Sequence, residues 1–530
     1  MINSYPNVPQ GEGNNGEQNP ISVTPEGHQK VEIHGPLLPF RSLHTESLYP
    51  VFQSDGVYGV NSFSMLTATG LSTGTGSGSG AVSGSSNLLT VSTGTTQYSF
   101  ASLQSRRRLR YRPGQGVRGR FAGYFTTGVA NSYQVMGLGT SETTLAFGYN
   151  GTAFGILYST GGVRELHTFT VTTASKATND YVVTLPNTAT VNVTATNNSS
   201  TTQTAYEISR GTFPGWKASA RGSTVIFLAD SNGNKSGSFS LAQTGAGVPA
   251  AGSDAETTAG VASTDTWIAQ ASWNVDPMDG TGPSGVTLDP TKGNVYQIDA
   301  QYLGFGVLLF YVEAVPTNSN NPYWQLVHMI RYPNTSTSIS MSQPAFPFLL
   351  AAYSAGSTSN LSVKCGSFAG FNEGAVVNLG PRISYQRDAM VTSSTSAYVP
   401  LFTVRNGLTW QSRANQTVVH LIDVTGVARG NSTATTKFYL VRNAALTGPV
   451  NFTAVGATSA CYQDKAATGM STPADTDIIW TRAVTQSGDF EYAIKDDEIT
   501  LQPGESVTLC IKSLTATADC SGGLNTREDQ

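Results

Sequence analysis

The sequence predicts a mainly β protein, a multi-domain β-sandwich or jelly-roll assembly with a small α+β insertion, on three observations. Charged residues are only 12% of the 530, about half the share of an ordinary soluble protein, so uncharged polar side chains must cover most of the surface. Glycine reaches 56 residues, and Gly and Asn beside Thr and Val suit short pleated strands joined by tight turns. From about residue 88 to 390 the chain reads as strand after strand, and 39% hydrophobic with 9% aromatic residues are enough to build cores. The length calls for two to four domains.

In chain order, residues 1–50 scatter prolines, among them Pro6, Pro9, Pro20, Pro25, Pro36 and Pro39, among Gly, Asn and Glu with no sustained period, which reads as an extended N-terminal arm. Residues 70–87 form a Gly/Ser tract, read as a flexible linker or surface loop. A β-rich body is expected over 51–165 and 246–392. Its clearest hairpin runs through Asn294–Leu303, where Tyr296, Ile298, Ala300 and Tyr302 share a face, and returns through Val307–Glu313, which is apolar on both faces and therefore central. Between them, 166–245 reads as an inserted α+β module, with strands at 168–173, 181–185 and 190–196, a short helix at 202–209 and a returning strand pair at 216–229. A C-terminal sandwich is expected over 393–530, with the polar end, 525–530, at the surface.

Cys365, Cys461, Cys510 and Cys520 lack metal spacing and read as buried small hydrophobes, with a Cys510–Cys520 bridge as the rival. The N-terminus lacks the charge and apolar run of a secretory leader, and apolar runs such as 307–312 and 345–353 are far short of the ~20 residues of a membrane span. The Asn-x-Ser/Thr strings, Asn415 among them, are the chance yield of such a composition.

Chemistry is weakly signalled. Gly70-Leu-Ser-Thr-Gly74 has the spacing of a nucleophile elbow, but no helix follows it. Asp230-Ser-Asn-Gly-Asn-Lys-Ser236 alternates oxygen ligands like a calcium loop, but lacks the glycine and the closing acid. Asp276, Asp279 and Asp289 gather carboxylates that Asp-Pro and Asp-Gly turns also explain. No catalytic residue, metal or cofactor is expected.

The sharpest anomaly is Arg106, Arg107, Arg108, Arg110, Arg112, Arg118 and Arg120 within fifteen residues. On a strand, Arg108, Arg110 and Arg112 project from one face, and guanidinium forks seek carboxylates or phosphates. A solvated strand face, a contact with an acidic neighbouring subunit and a contact with packaged nucleic acid all fit. The last is the weakest, because few aromatics are interleaved for base stacking and the net charge is −4.

The strings Ser105-Arg-Arg-Arg-Leu-Arg-Tyr-Arg-Pro-Gly-Gln-Gly116, Leu288-Asp-Pro-Thr-Lys-Gly-Asn-Val-Tyr-Gln-Ile298, Gln301-Tyr-Leu-Gly-Phe-Gly306 and Pro400-Leu-Phe-Thr-Val-Arg-Asn406 resemble structural proteins of virus particles, those of large icosahedral double-stranded DNA viruses and of tailed phages. The resemblance implies a non-enzymatic minor or vertex (penton-type) capsid protein located in the virion. Its partners would be other capsid proteins, with copies of itself in a symmetric homo-oligomer and no membrane span. Two other readings stay open: a trimeric tail-fibre or spike protein that binds a host receptor, and a carbohydrate-active β-sandwich enzyme using Asp276, Asp279 or Glu313.

Overall fold

The computed structural model describes residues 48–530 except 73–77, 141, 199, 316–321, 375–379, 431–432, 486, 496–498 and 530; before residue 48 it describes two short paired strands, Gln10–Glu12 and Gln18–Pro20. The expected arm ends before residue 50, since Leu48–Asp55 is a strand of the body sheet; its other residues lie outside the described ones. The described chain is mainly β, in antiparallel sheets around separate cores. Among the described residues the single α-helix is Thr201–Ile208.

The body is a sandwich. Its seven-stranded sheet runs, in spatial order, Thr264–Ala269, Ala153–Thr160, Thr144–Asn150, Ser132–Gly139, Phe348–Ser354, Ser99–Ser105 and Met65–Leu71. The facing sheet runs Tyr323–Ile330, Leu308–Ala314, Asn294–Ala300, Val117–Phe125, Ser362–Glu373, Leu88–Ser92 and Ala81–Ser85, and Leu48–Asp55 also pairs with Ser362–Glu373. The expected hairpin is present, with Ile298 opposite Phe310, and Leu308–Ala314 is flanked on both sides.

Aromatic rings knit the sheets together. Phe348 stacks on Phe368 at 4.0 Å, and Phe147 meets Tyr296 at 4.8 Å; each such ring is worth roughly 1.5–3 kcal/mol when buried. Val117–Phe125 turns Val117, Gly119, Phe121, Gly123 and Phe125 inward. Gly119 is small because Leu138 of the opposite sheet fills its space: an added Cβ would lie 2.7 Å from a Leu138 methyl.

Part of the Gly/Ser tract is ordered sheet rather than linker. Ala81–Ser85 and Leu88–Ser92 form a hairpin whose two turn residues, Ser86 and Asn87, have φ of 53° and 61°, the left-handed pair that a type I′ turn demands. Short alternation in small polar residues hid this strand.

The α+β insertion is present with nearly the expected elements: strands Arg164–Thr173, Tyr181–Thr184, Thr190–Val193, Trp216–Arg221 and Thr224–Asn232 surround the helix. Thr-rich and poor in intrinsic helix propensity, that helix is held by Ser200, whose hydroxyl caps the Gln203 amide, and by burial of its residues 203–208. The module is larger than 166–245, because Ala251–Thr258 pairs along Arg164–Thr173. Nor does it stand alone. Phe169, Tyr206 and Trp216 share one core with Tyr439, Leu446 and Phe452 of the C-terminal sandwich, and Val450 and Leu446 donate backbone hydrogen bonds to Gln203 Oε1 and the Tyr206 hydroxyl, both at 2.9 Å.

The C-terminal sandwich starts earlier than residue 393, since Arg382–Thr392 is one of its strands. One sheet orders Arg382–Thr392, Ala518–Asp529, Val418–Gly430 and Gly488–Ala493; the other centres on Val399–Asn406, Ser506–Ser513 and Thr435–Arg442. The expectation of an exposed polar end is overturned. Ala518–Asp529 is an internal strand, and Thr526 and Glu528 are wholly buried. Glu528 accepts hydrogen bonds from the Ser459 hydroxyl and, at 2.9 Å, the Ala460 amide; alternation of polar residues here marks a strand whose inward polar groups have partners. All four cysteines are buried and free, with Cys510 and Cys520 in different cores.

Candidate functional site: an arginine-rimmed cavity between the sandwiches

Leu109 fixes the arginine segment in place. It is fully buried in the body core, and Leu109–Arg110 pairs with Ala345–Phe346, so the arginines flanking it turn toward the C-terminal sandwich. Arg106 forms an ion pair with Glu505 and donates to the Ser62 carbonyl at 3.0 Å. Arg108 donates to Gln416 Oε1. Gln416 in turn reaches Glu142 at 3.5 Å, and the buried Glu142 accepts from Arg164 at 2.9 Å. Arg110 donates to the Asp529 carbonyl, and the Asp529 carboxylate lies 3.8 Å from Arg110 and 3.6 Å from Arg112. Arg107 is also engaged within the chain.

These side chains border a cavity of about 90 Å³. Arg107, Arg108, Arg110 and Arg112 line it from the body, and Gln502 and Asp529 from the C-terminal sandwich. That is room for a few waters. Burial, with repulsion from Arg164 and Arg110 only partly offset by Glu142, pulls Arg108 down to about 10, and burial also lowers Arg110 despite Asp529. Both stay charged near neutrality. The shifts express cations crowded where water is scarce.

The seven arginines do not form one surface. Arg118 and Arg120 lie on Val117–Phe125, on the face opposite its buried residues. Arg118 makes a two-pronged contact with Asp299, directly across the strand pair, at 2.8 and 2.7 Å. Arg120 donates to Gln297 at 2.7 Å, and its guanidinium lies 5.1 Å from the Trp324 ring centre. Arg106, Arg110, Arg112 and Arg118 thus meet carboxylates of the same chain, and Arg108 and Arg120 its amides. Nothing local announced Glu505, Gln416 or Asp529, which stand 399, 308 and 419 residues from the arginines they meet.

The other candidates hold turns. Asp276 is wholly buried and accepts from the Met278 and Ser284 amides, both at 2.8 Å. Asp279 and Asp289 lie below the usual carboxylate range because Thr281 and Thr291 each donate a hydroxyl and an amide to them; a general acid needs the opposite shift. Glu313 is exposed. Ser72 of the elbow-like string donates to the Tyr98 carbonyl at 3.1 Å. No group of three or more His, Cys, Asp or Glu side chains placed to hold a metal occurs among the described residues. One constellation that sequence reading missed is His167, buried with Asp254 and Glu165 each 2.8 Å from a ring nitrogen. No helix among the described residues is long and apolar enough to cross a membrane. Neither the protein-family models nor the curated proteins contain a match to this chain.

Proposed function

We propose that the chain is a structural component of a virus particle, a minor or vertex (penton-type) capsid protein that acts through subunit contacts as a symmetric homo-oligomer. The observation that carries this reading is where the charge goes. In a chain so poor in charge, arginines and carboxylates from distant segments clamp one sandwich to the other, and the α+β module shares its core with the second. The result is a stiff block suited to packing among neighbours. Large apolar side chains remain on its loops: Tyr58 is 94% exposed and Phe63 64%, and Leu303, Phe305 and Ile339 are exposed elsewhere on the body. Such side chains suit contacts between subunits. The resemblance of the 105–116, 288–298 and 400–406 strings to virion proteins points the same way.

Native mass spectrometry of the purified chain at micromolar concentration, followed by its placement in a particle reconstruction, tests the proposal. The expected outcome is a closed oligomer burying at least roughly 1,000 Å² per contact, five-fold if the chain sits at a vertex. A three-fold complex would favour the tail-fibre or spike reading. A monomer absent from purified particles would remove both.

A further inference from the structure

We propose that copies of this chain join head to tail, the loop 56–63 of one body seating in the turn 301–307 of the next; this rests on the homo-oligomer proposed above and names the contact that builds it. The first observation is a rigid apolar knob. Between Leu48–Asp55 and Met65–Leu71, Val57, Tyr58 and Phe63 are 52%, 94% and 64% exposed. Their backbone is nevertheless tied down. The Val57 amide donates to Asp55 Oδ1 at 3.0 Å, the Phe63 amide donates to Asn61 Oδ1 at 2.9 Å, and Arg106 donates to the Ser62 carbonyl at 3.0 Å. Apolar side chains carried on a fixed backbone lose little conformational freedom on docking, and a large aromatic anchor of this kind carries much of an interface's energy.

The second observation is a seat. In the turn between Asn294–Ala300 and Leu308–Ala314, Leu303 and Phe305 flank Gly304, and the Ser340 amide donates to the Gly304 carbonyl at 2.8 Å, which sets Ile339 beside them. All three apolar side chains are exposed. Among the described residues a Cβ added at Gly304 would meet only Ile339, at 3.4 Å, so the floor between the three is open. Leu303 has a φ of 37°, a left-handed conformation that a bulky side chain rarely takes, and its amide donates to the Tyr111 hydroxyl at 2.9 Å. Strain kept beside an exposed apolar cluster marks a contact surface.

Knob and seat are unlike and lie toward opposite margins of the body. Met65–Leu71 packs beside Ala81–Ser85 at one margin, whereas Tyr323–Ile330, next to Leu308–Ala314, forms the other. Patches that face different ways pair heterologously, and such a contact generates a ring when its rotation closes. Full burial of the six side chains would remove roughly 600–700 Å² of apolar surface, taking about 150–250 Å² for a whole aromatic side chain and less for an aliphatic one. That is a large share of the roughly 1,200–2,000 Å² that stable interfaces bury, and the uncharged polar surface around it would serve as the rim.

Native mass spectrometry and light scattering of the full chain at micromolar concentration would compare it with Tyr58→Glu/Phe63→Glu and with Phe305→Glu/Ile339→Glu, circular dichroism checking that each folds. The unmodified chain should form a closed ring of more than two copies. Each double variant alone should be monomeric, its self-affinity weakened at least a hundredfold. Mixed one to one, the two variants should form a heterodimer and nothing larger, because only one sound knob then meets one sound seat. If a glutamate variant does not fold, Tyr58→Ala and Ile339→Ser carry the same test, with losses of about tenfold. A ring left intact by both variants would overturn the head-to-tail contact while leaving the homo-oligomer standing. Dissociation by the knob variant alone would overturn it in favour of a two-fold contact between loops. A chain that stays monomeric without any substitution would overturn both the contact and the oligomer.

Discussion

His167 shows how a single residue can set a pH dependence. It is buried in the insertion, edge-on to Trp216 and Phe239. Its ring nitrogens meet Asp254 and Glu165, which are themselves held by the Phe239 and Lys235 amides at 2.9 and 2.6 Å. Burial alone would lower its pKa, but hydrogen bonds to Asp254 and Glu165 outweigh burial and raise it above the ordinary histidine value. A raised folded pKa means the imidazolium's contribution is complete below the unfolded value of about 6.5 and is lost as pH rises through the folded one. Chemical denaturation between pH 6 and 9 should show the insertion losing stability with rising pH, and His167→Asn should flatten that dependence while lowering stability at pH 6. An undiminished slope in the variant would assign it to other groups. Nothing in the sequence pointed to Asp254, 87 residues on, because only the sheet register brings it near His167.

At the scale of elements, alternation over seven or more residues was readable wherever the alternating residues were large. The Asn294–Ala300 strand was legible for that reason, and Leu308–Ala314 because it is apolar on both faces. Ala81–Ser85 was not, since its Gly and Ser side chains carry no apolar period and only the Ser86-Asn87 turn defines the hairpin. The Ala518–Asp529 strand was missed because its inward Thr526 and Glu528 are polar. Close approach of strands makes its own prediction. Gly119→Ala would drive a methyl group into Leu138, and overpacking of this kind costs about 1–3 kcal/mol. Urea unfolding should report that loss, and adding Leu138→Val should recover part of it. Full stability in Gly119→Ala alone would mean the two sheets separate more easily than their aromatic stacking implies.

For the whole molecule, three linkages join the sandwiches: Arg106 to Glu505, Arg108 through Gln416 to Glu142, and the Arg110 and Arg112 pair on Asp529. The mainly β, multi-domain character was legible from composition and strand spacing. Their seams were not, because a seam is made by residues hundreds of positions apart. Reversing charge with Arg110→Glu sets a carboxylate against Asp529. Calorimetry should then show the body and the C-terminal sandwich melting as two resolved transitions where the unmodified chain shows more overlap; an unchanged profile would make the linkage dispensable. The internal place of Ala518–Asp529 also puts assembly on a clock. Of the strands in the C-terminal sandwich it is the last to be synthesised, yet it lies between Arg382–Thr392 and Val418–Gly430, so that sandwich cannot close until it is made. Arg110 precedes Asp529 by 419 residues; at synthesis rates of about 5–20 residues per second the wait is roughly 20–80 s. Over the last part of that interval, once Ser362–Glu373 has completed the body sheet, the Arg110 and Arg112 side of the body stands without the Asp529 carboxylate that will face it.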